Sequence, residues 1–353
     1  MIGQTIAMAV DAYRELHARK LFWVTLAISL LVVLAFAALG IDERGVSILG
    51  FHVESAFVNT QFVPAADFYR SLFKDFGIGF WLTWVAAILA LISTAGIFPE
   101  LITGGSIDLW LSRPISRWRL FLTKFVLGLA FVALQVTVFT TASYFVLGVR
   151  GGVWEPSLFL AIPLVTLFFS YLFAICTLFG VLTRSTIAAL LLTLLAWTGI
   201  GLVNIVEGGL FMARTGFVLE LESIAADEQR YAERGEALPE TIVKERETAT
   251  RVLGVVGPIH RTLFALKLVL PKTDETIELL GRTLTDPSGL PDPPPAGGRR
   301  GMFGSYRVSD EALTRATMEH LHQRPIWWVL GTSLLFTAAT VGLAGWFFCR
   351  RDY

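Results

Sequence analysis

Cysteine and charge are what this chain has least of. Cys176 and Cys349 are the two cysteines in 353 residues, too few and too far apart for a disulfide framework or a thiolate metal site, and both read as packing residues. Charged residues make up 16% of the sequence against 54% hydrophobic ones, and the formal net charge is zero. That balance is too apolar for an ordinary soluble domain. Nothing in it points to nucleic acid, and neither a basic tail of the nucleic-acid-binding kind nor an RNA-binding signature is present.

Other absences remove chemistries one by one. No lysine follows a glycine, so the G-x-x-x-x-G-K-[ST] phosphate loop is missing and this chain does not bind ATP that way. No histidine precedes a glutamate, which removes H-E-x-x-H. His320 and His322 are two apart and point to different faces of a helix, His17, His52 and His260 stand isolated, and five scattered methionines make no thioether ladder. No metal and no cofactor of this chain is expected. Gly104-Gly105-Ser106-Ile107-Asp108 begins like a nucleophile elbow but ends in Asp and lacks the strand-to-helix setting that strains the serine. An integral-membrane enzyme is therefore the weakest class.

What remains is hydrophobic length. Mean hydropathy is +0.63, and apolar runs long enough to cross a ~30 Å hydrocarbon core lie near 21–41, 76–98, 125–149, 157–183, 185–206 and 325–349. None contains Asp, Glu, Lys, Arg or His. The first run continues past Ala35-Phe36-Ala37 to Ile41, longer than the apolar core of a secretory signal, and reads as a retained span. Ion-coupled transporters and aspartyl intramembrane proteases need ionisable groups inside the bilayer, and these runs offer none. They carry neutral polar residues instead. Gln135, Thr140, Ser143, Tyr171 and Asn204 are candidates for a translocation path, with interhelical packing and hydrogen bonding as the plainer reading.

Arg14, Arg19, Lys20, Arg113, Arg117, Arg119, Lys124, Arg184, Arg350 and Arg351 fall on one side of a six-span arrangement. The positive-inside rule then places both termini and the 99–124 loop in the cytoplasm and the 207–324 segment outside. Before the first span, Ile2, Ile6, Val10, Tyr13 and Leu16 recur at helical steps, so residues 1–20 are expected to form an amphipathic interfacial helix. "VSILGFHVE" alternates weakly enough for one short strand. Residues 207–324 turn sharply charged. About 217–253 should form a helical hairpin broken near Gly235 and Pro239, Ile259 to Leu270 a separate semi-apolar helix, and "TDETIELLG" a short one. Residues 286–301 are a Pro/Gly linker, and a polar helix from about Ser309 leads to the sixth span and the basic tail, 325–353. The fold class is an all-α polytopic membrane protein.

Residues 98–125, "FPELITGGSIDLWLSRPISRWRLFLTKF", place a carboxylate, a double glycine and an array of basic side chains between two uncharged runs. Leu109, Trp110 and Leu111 can anchor at the interface while Arg113, Arg117 and Arg119 present donors to carboxylates or phosphates. A positive-inside anchor accounts for that composition. The order of the residues goes further, because a glutamate after the second span, a Gly-rich turn, "LSRPISR" and a lysine at the head of the third span resemble the permease subunits of type 2 ATP-binding-cassette (ABC) exporters. The likeness covers roughly 1–206 and 325–353 and is nearest the group named for multicopper-enzyme maturation.

That resemblance implies a second permease chain, a cytoplasmic ATPase subunit that binds the ATP and magnesium, and the cytoplasmic membrane of a bacterium. It would make Glu100, Gly104, Gly105, Asp108, Arg113, Pro114, Arg117 and Lys124 parts of the coupling element. The 207–324 segment is much longer than the family's short re-entrant helices. A non-transport scaffold or sensor working through 207–324 is the competing expectation.

Overall fold

The computed structural model describes residues 20–43, 45–48, 51–54, 59–60, 63–103, 116–284, 313, 316 and 325–350. The expected interfacial helix up to Arg19, the 286–301 linker, the helix from Ser309 and the basic tail beyond Arg350 lie outside the described residues.

The described chain is built almost wholly of helices. They are α1 (Lys20–Ala38), α2 (Ala65–Ile102), α3 (Arg117–Arg150), α4 (Ala161–Thr183), α5 (Thr186–Arg234), α6 (Glu240–Val269), α7 (Thr273–Leu284) and α8 (Ile326–Arg350). Each of the six apolar runs lies largely within one of them. The middle of α2, Leu72–Ala86, winds wider than an α-helix, and Thr83 Oγ1 donates to the carbonyl of Ile78 five residues back at 2.7 Å. Wide turns of this kind open the backbone ladder within an otherwise regular helix.

Three departures from the sequence reading have local causes. A three-stranded antiparallel sheet, β1 (Leu39–Asp42), β2 (Gly45–Ile48) and β3 (Phe51–Glu54), stands where one strand was expected in an all-α chain. The weakly alternating segment folds back on itself between Ile48 and Phe51, which face each other across two intervening residues. Asp42 pairs with Gly45, whose N–H donates to Asp42 Oδ1 at 3.1 Å, and Gly45 holds φ +147°, where a side chain would be strained.

Next, α5 does not end where its apolar run ends at 206 but continues to Arg234, a helix of 49 residues in all, roughly 74 Å at 1.5 Å per residue. Composition changes there, yet no proline interrupts the winding. Gly235, at φ +66°, then breaks it as expected. Finally, α6 runs unbroken through Pro258 and joins what was expected as two helices. Its C-terminal half makes it a seventh helix long and apolar enough to cross a membrane, beside the six apolar runs.

Two compact units emerge. The first comprises residues up to Trp197, 273–288 and 334 onward, and its core is aromatic. Phe98 meets Phe121 at 4.9 Å between ring centroids, Phe121 meets Phe348 at 5.6 Å, and Phe173 lies between Phe125 at 5.0 Å and Phe169 at 5.7 Å. Gly128 of α3 admits that stack, since a Cβ there would stand 2.7 Å from the Phe173 ring. Above this core, Tyr69 Oη and Arg150 Nη2 both donate to the carbonyl of Leu39, which ties the sheet to α2 and α3.

The second unit, residues 198–272 and 289–333, contains the hairpin of α5 and α6. Glu207 pairs with Lys267, and Glu228 pairs with Arg246. Glu228 lies as far after Glu207 as Arg246 lies before Lys267, so the helices run antiparallel in constant register about the Gly235–Pro239 turn.

Candidate functional site

Of the expected coupling element, Gly104, Gly105, Asp108, Arg113 and Pro114 lie outside the described residues. Its two flanks are described. Glu100 is exposed in the last turn of α2. On the far side, Ser116 caps α3 in an extended conformation, accepting from the Arg119 N–H at 3.3 Å. Arg117, next in sequence, is half-buried and donates from Nη1 to the carbonyl of Cys349 at 3.3 Å. Its charge therefore satisfies the end of α8, where a cation complements the helix dipole. Lys124 is two turns into α3 and 8% exposed.

Three of the expected path residues share the buried face of α3. Gln135, Thr140 and Ser143 are all buried, and Gln135 Nε2, Thr140 Oγ1 and Ser143 Oγ have no hydrogen-bond partner. Gln135 borders a cavity of about 10 Å³ together with Thr25 and Ser29 of α1, Val132, Val136 and Val165. This is room for about one water. The other two candidates are placed differently. Tyr171 is fully buried on α4, its hydroxyl 3.3 Å from that of Thr276 on α7, and Asn204 is half-buried in the second unit.

The sequence reading overlooked a buried charge cluster in the hairpin. Glu207 of α5 is 2% exposed and sits between two side chains of α6, with Oε2 2.8 Å from Lys267 Nζ and Oε1 3.3 Å from His260 Nε2. His260 and Lys267 are two helical turns apart, so one carboxylate bridges both. His260, taken as isolated, lies between Phe211 at 5.8 Å and Phe264 at 6.1 Å, and Phe264 stacks on Trp328 at 6.2 Å.

Lys272, 1% exposed, closes the open end of the hairpin. Its Nζ donates to the carbonyls of Lys267, Leu268 and Leu270 at 3.2 Å each and stands 4.8 Å above the Trp328 ring. A lysine satisfying the last carbonyls of a helix is a C-terminal cap, here with a cation–π contact added. A signal for the cluster did exist: reflecting the sequence about the Gly235–Pro239 turn sets 207 against 267. The composition change at 207 concealed it by marking a boundary where the helix continues.

Chemically, the described side chains offer ion pairing and neutral hydrogen bonding. Among the described residues no three His, Cys, Asp or Glu side chains converge. No curated protein and no solved structure matches the chain. A family model does match over residues 30–207, half of the chain, running from α1 to Glu207 and stopping before the rest of the hairpin, α7 and α8. On that match the chain belongs to the family described as "Protein of unknown function (DUF2705)".

Proposed function

We infer that this multi-pass membrane protein is the transmembrane permease subunit of an ABC transporter, carrying a substrate across the cytoplasmic membrane with ATP hydrolysed by a separate subunit. The observation that carries this reading is the order of residues between α2 and α3: Glu100, Gly104-Gly105, Asp108, Arg113-Pro114, Arg117 and Lys124. The buried face of α3 supports it. Orphaned polar atoms in a core cost about 1–3 kcal/mol each, and Gln135, Thr140 and Ser143 keep three of them on one helix face. A scaffold gains nothing from that cost, whereas a helix that must meet a polar substrate does.

Six spans follow, formed by α1, α2, α3, α4, the apolar part of α5 and α8, with both termini in the cytoplasm and a second copy of the chain completing the transporter. In this arrangement α6 is not a span, because its register pairs it with the part of α5 beyond residue 206. The 207–324 segment then lies on the outer side of the membrane.

Co-purification with an ATPase carrying a phosphate-binding loop tests the reading, together with the ATPase rate in reconstituted membranes. Arg113→Glu with Arg117→Glu should lose the ATPase, since like charges facing each other at an interface cost several kcal/mol and each tenfold loss of affinity takes about 1.4 kcal/mol. Arg117→Glu also breaks the contact with Cys349, so Arg113→Glu alone is the cleaner arm and membrane insertion the control. Wild-type retention of the ATPase by an inserted double variant would return this loop to a positive-inside anchor.

A further inference from the structure

One face of α6 has no role in the mechanism inferred above. Val255 and Val269 are 60% and 70% exposed, and Ile259, Thr262 and Leu266 between them are exposed as well. With half-buried Val252 they recur at alternating steps of three and four residues, the a and d spacing of a coiled coil. His260 and Lys267, each one position beyond a member of this seam, are the side chains that meet Glu207. The seam therefore lies about 100° round the helix from the contact with α5. Contiguous apolar surface of this kind marks an interaction site.

Lipid is a poor match for it. Arg261 is exposed in the middle of the same stretch and would meet acyl chains if α6 crossed the bilayer, a costly place for a cation. A protein surface is a better match. The one hydroxyl in the seam, Thr262 Oγ1, already donates to the carbonyl of Pro258 at 3.1 Å, so a dry contact strands no donor.

The seam also matches itself. A contact between two copies about a twofold axis sets one patch against the same patch, which repels if the patch carries charge of one sign. All six seam positions are uncharged, as are Val256 and Leu263 on one flank and Pro258 and Ala265 on the other. Towards the hairpin turn the next a position is Glu245, where like carboxylates would meet, and there the apolar seam ends.

We propose that residues 252–269 of α6 form the surface through which two copies of this chain associate outside the membrane, α6 against α6 in parallel. The proposal rests on the permease reading, which supplies the second copy and places 207–324 outside. The Glu207–Lys267 pair sets the same end of α6 against the end of the fifth span's apolar run in both copies, and copies sharing one membrane share its inside and outside. Each seam residue then meets its own counterpart.

Cysteine cross-linking of the full chain in membranes tests this, with wild type as the control for Cys176 and Cys349. Val255→Cys, Ile259→Cys and Leu266→Cys should each give a covalent dimer under mild oxidation, and Arg261→Cys, exposed but off the seam, should not. Ile259→Asp should lower dimer affinity at least about tenfold in nanodiscs, because like charges then face each other. Equal cross-linking at 261 and at the seam overturns the proposal, as does cross-linking at a single seam position, which an antiparallel pair would give. An inserted Ile259→Cys chain that neither cross-links nor reacts with a membrane-impermeant maleimide puts the seam in lipid and overturns it too. Subunit counting separates the remaining failures. A dimer that persists without any α6 cross-link sinks this inference and leaves the permease reading standing, whereas a monomer removes the second copy from that reading as well.

Discussion

The two units bury polar groups by opposite means. In the first, phenylalanine rings fill the core and the buried polar groups are mostly neutral, some bonded to their own helix backbone, as at Thr83, Ser93 and Thr94, and others left alone, as at Gln135, Thr140 and Ser143. In the second, the hairpin core contains ionised groups that answer one another, Glu207 with Lys267 and Lys272 with backbone carbonyls. Apolar contact tolerates small errors of register, because a ring can meet several neighbours. A carboxylate that must reach two side chains on the facing helix cannot slide by a turn without losing both. Charge in the second unit therefore specifies alignment over a two-helix interface whose faces are otherwise largely exposed.

Removing one partner of the buried pair is the strongest way to break this contrast. Lys267→Met should destabilise the hairpin by about 3–5 kcal/mol, because Glu207 is left as an uncompensated buried charge. Adding Glu207→Gln to the same chain should recover much of that loss, since the penalty comes from the stranded charge. Hydrogen exchange over α6 in detergent reads both variants. A single variant as well protected as wild type would mean the pair does not hold the hairpin in register.

The matching test in the first unit adds one methyl group. Gly128→Ala places a Cβ 2.7 Å from the Phe173 ring, which is 1% exposed and stacked between Phe125 and Phe169. With no room for the ring to retreat, overpacking should cost about 1–3 kcal/mol. Thermal unfolding in detergent should show a lower midpoint with the hairpin's exchange protection unchanged. Equal loss of protection in α6 would show that the two units unfold as one.

How much of this was readable beforehand follows from which forces act locally. The apolar runs could be read because transfer out of water depends on composition over about twenty residues. The continuity of α5 past 206 and of α6 through Pro258 could not, because a helix goes on winding through a change of composition until a residue such as Gly235 stops it. The end of the apolar run at 206 and the end of the helix at 234 are two different things, and the sequence reading merged them. Glu207 and Lys267 are sixty residues apart, and their meeting depends on the register of the whole hairpin. Arg117 and Lys124 were expected in the 99–124 loop, whereas α3 already begins at Arg117. Their engagement within the chain depends on α8 and on the core, which no local pattern reports.

The smallest effect sharpens the comparison most, because it uses the same hairpin and the same kind of bond. Glu228 and Arg246 meet at 3.1 Å in the register that joins Glu207 to Lys267, but their side chains are 30% and 61% exposed. Water screens the pair and already solvates each ion, so such contacts contribute about 0.2–1 kcal/mol. Arg246→Gln should change the stability of the hairpin by less than about 1 kcal/mol. Raising the salt concentration from 0.1 M to 1 M shortens the screening length from about 10 Å to about 3 Å, so the difference between wild type and Arg246→Gln should vanish there. The cost of Lys267→Met should survive the same salt, because ions do not enter between Glu207 and its partners. If Arg246→Gln proved as damaging as Lys267→Met and equally indifferent to salt, burial would not be what separates the two pairs. Position along the hairpin would then have to be the cause, with the charged end near the turn mattering as much as the open end.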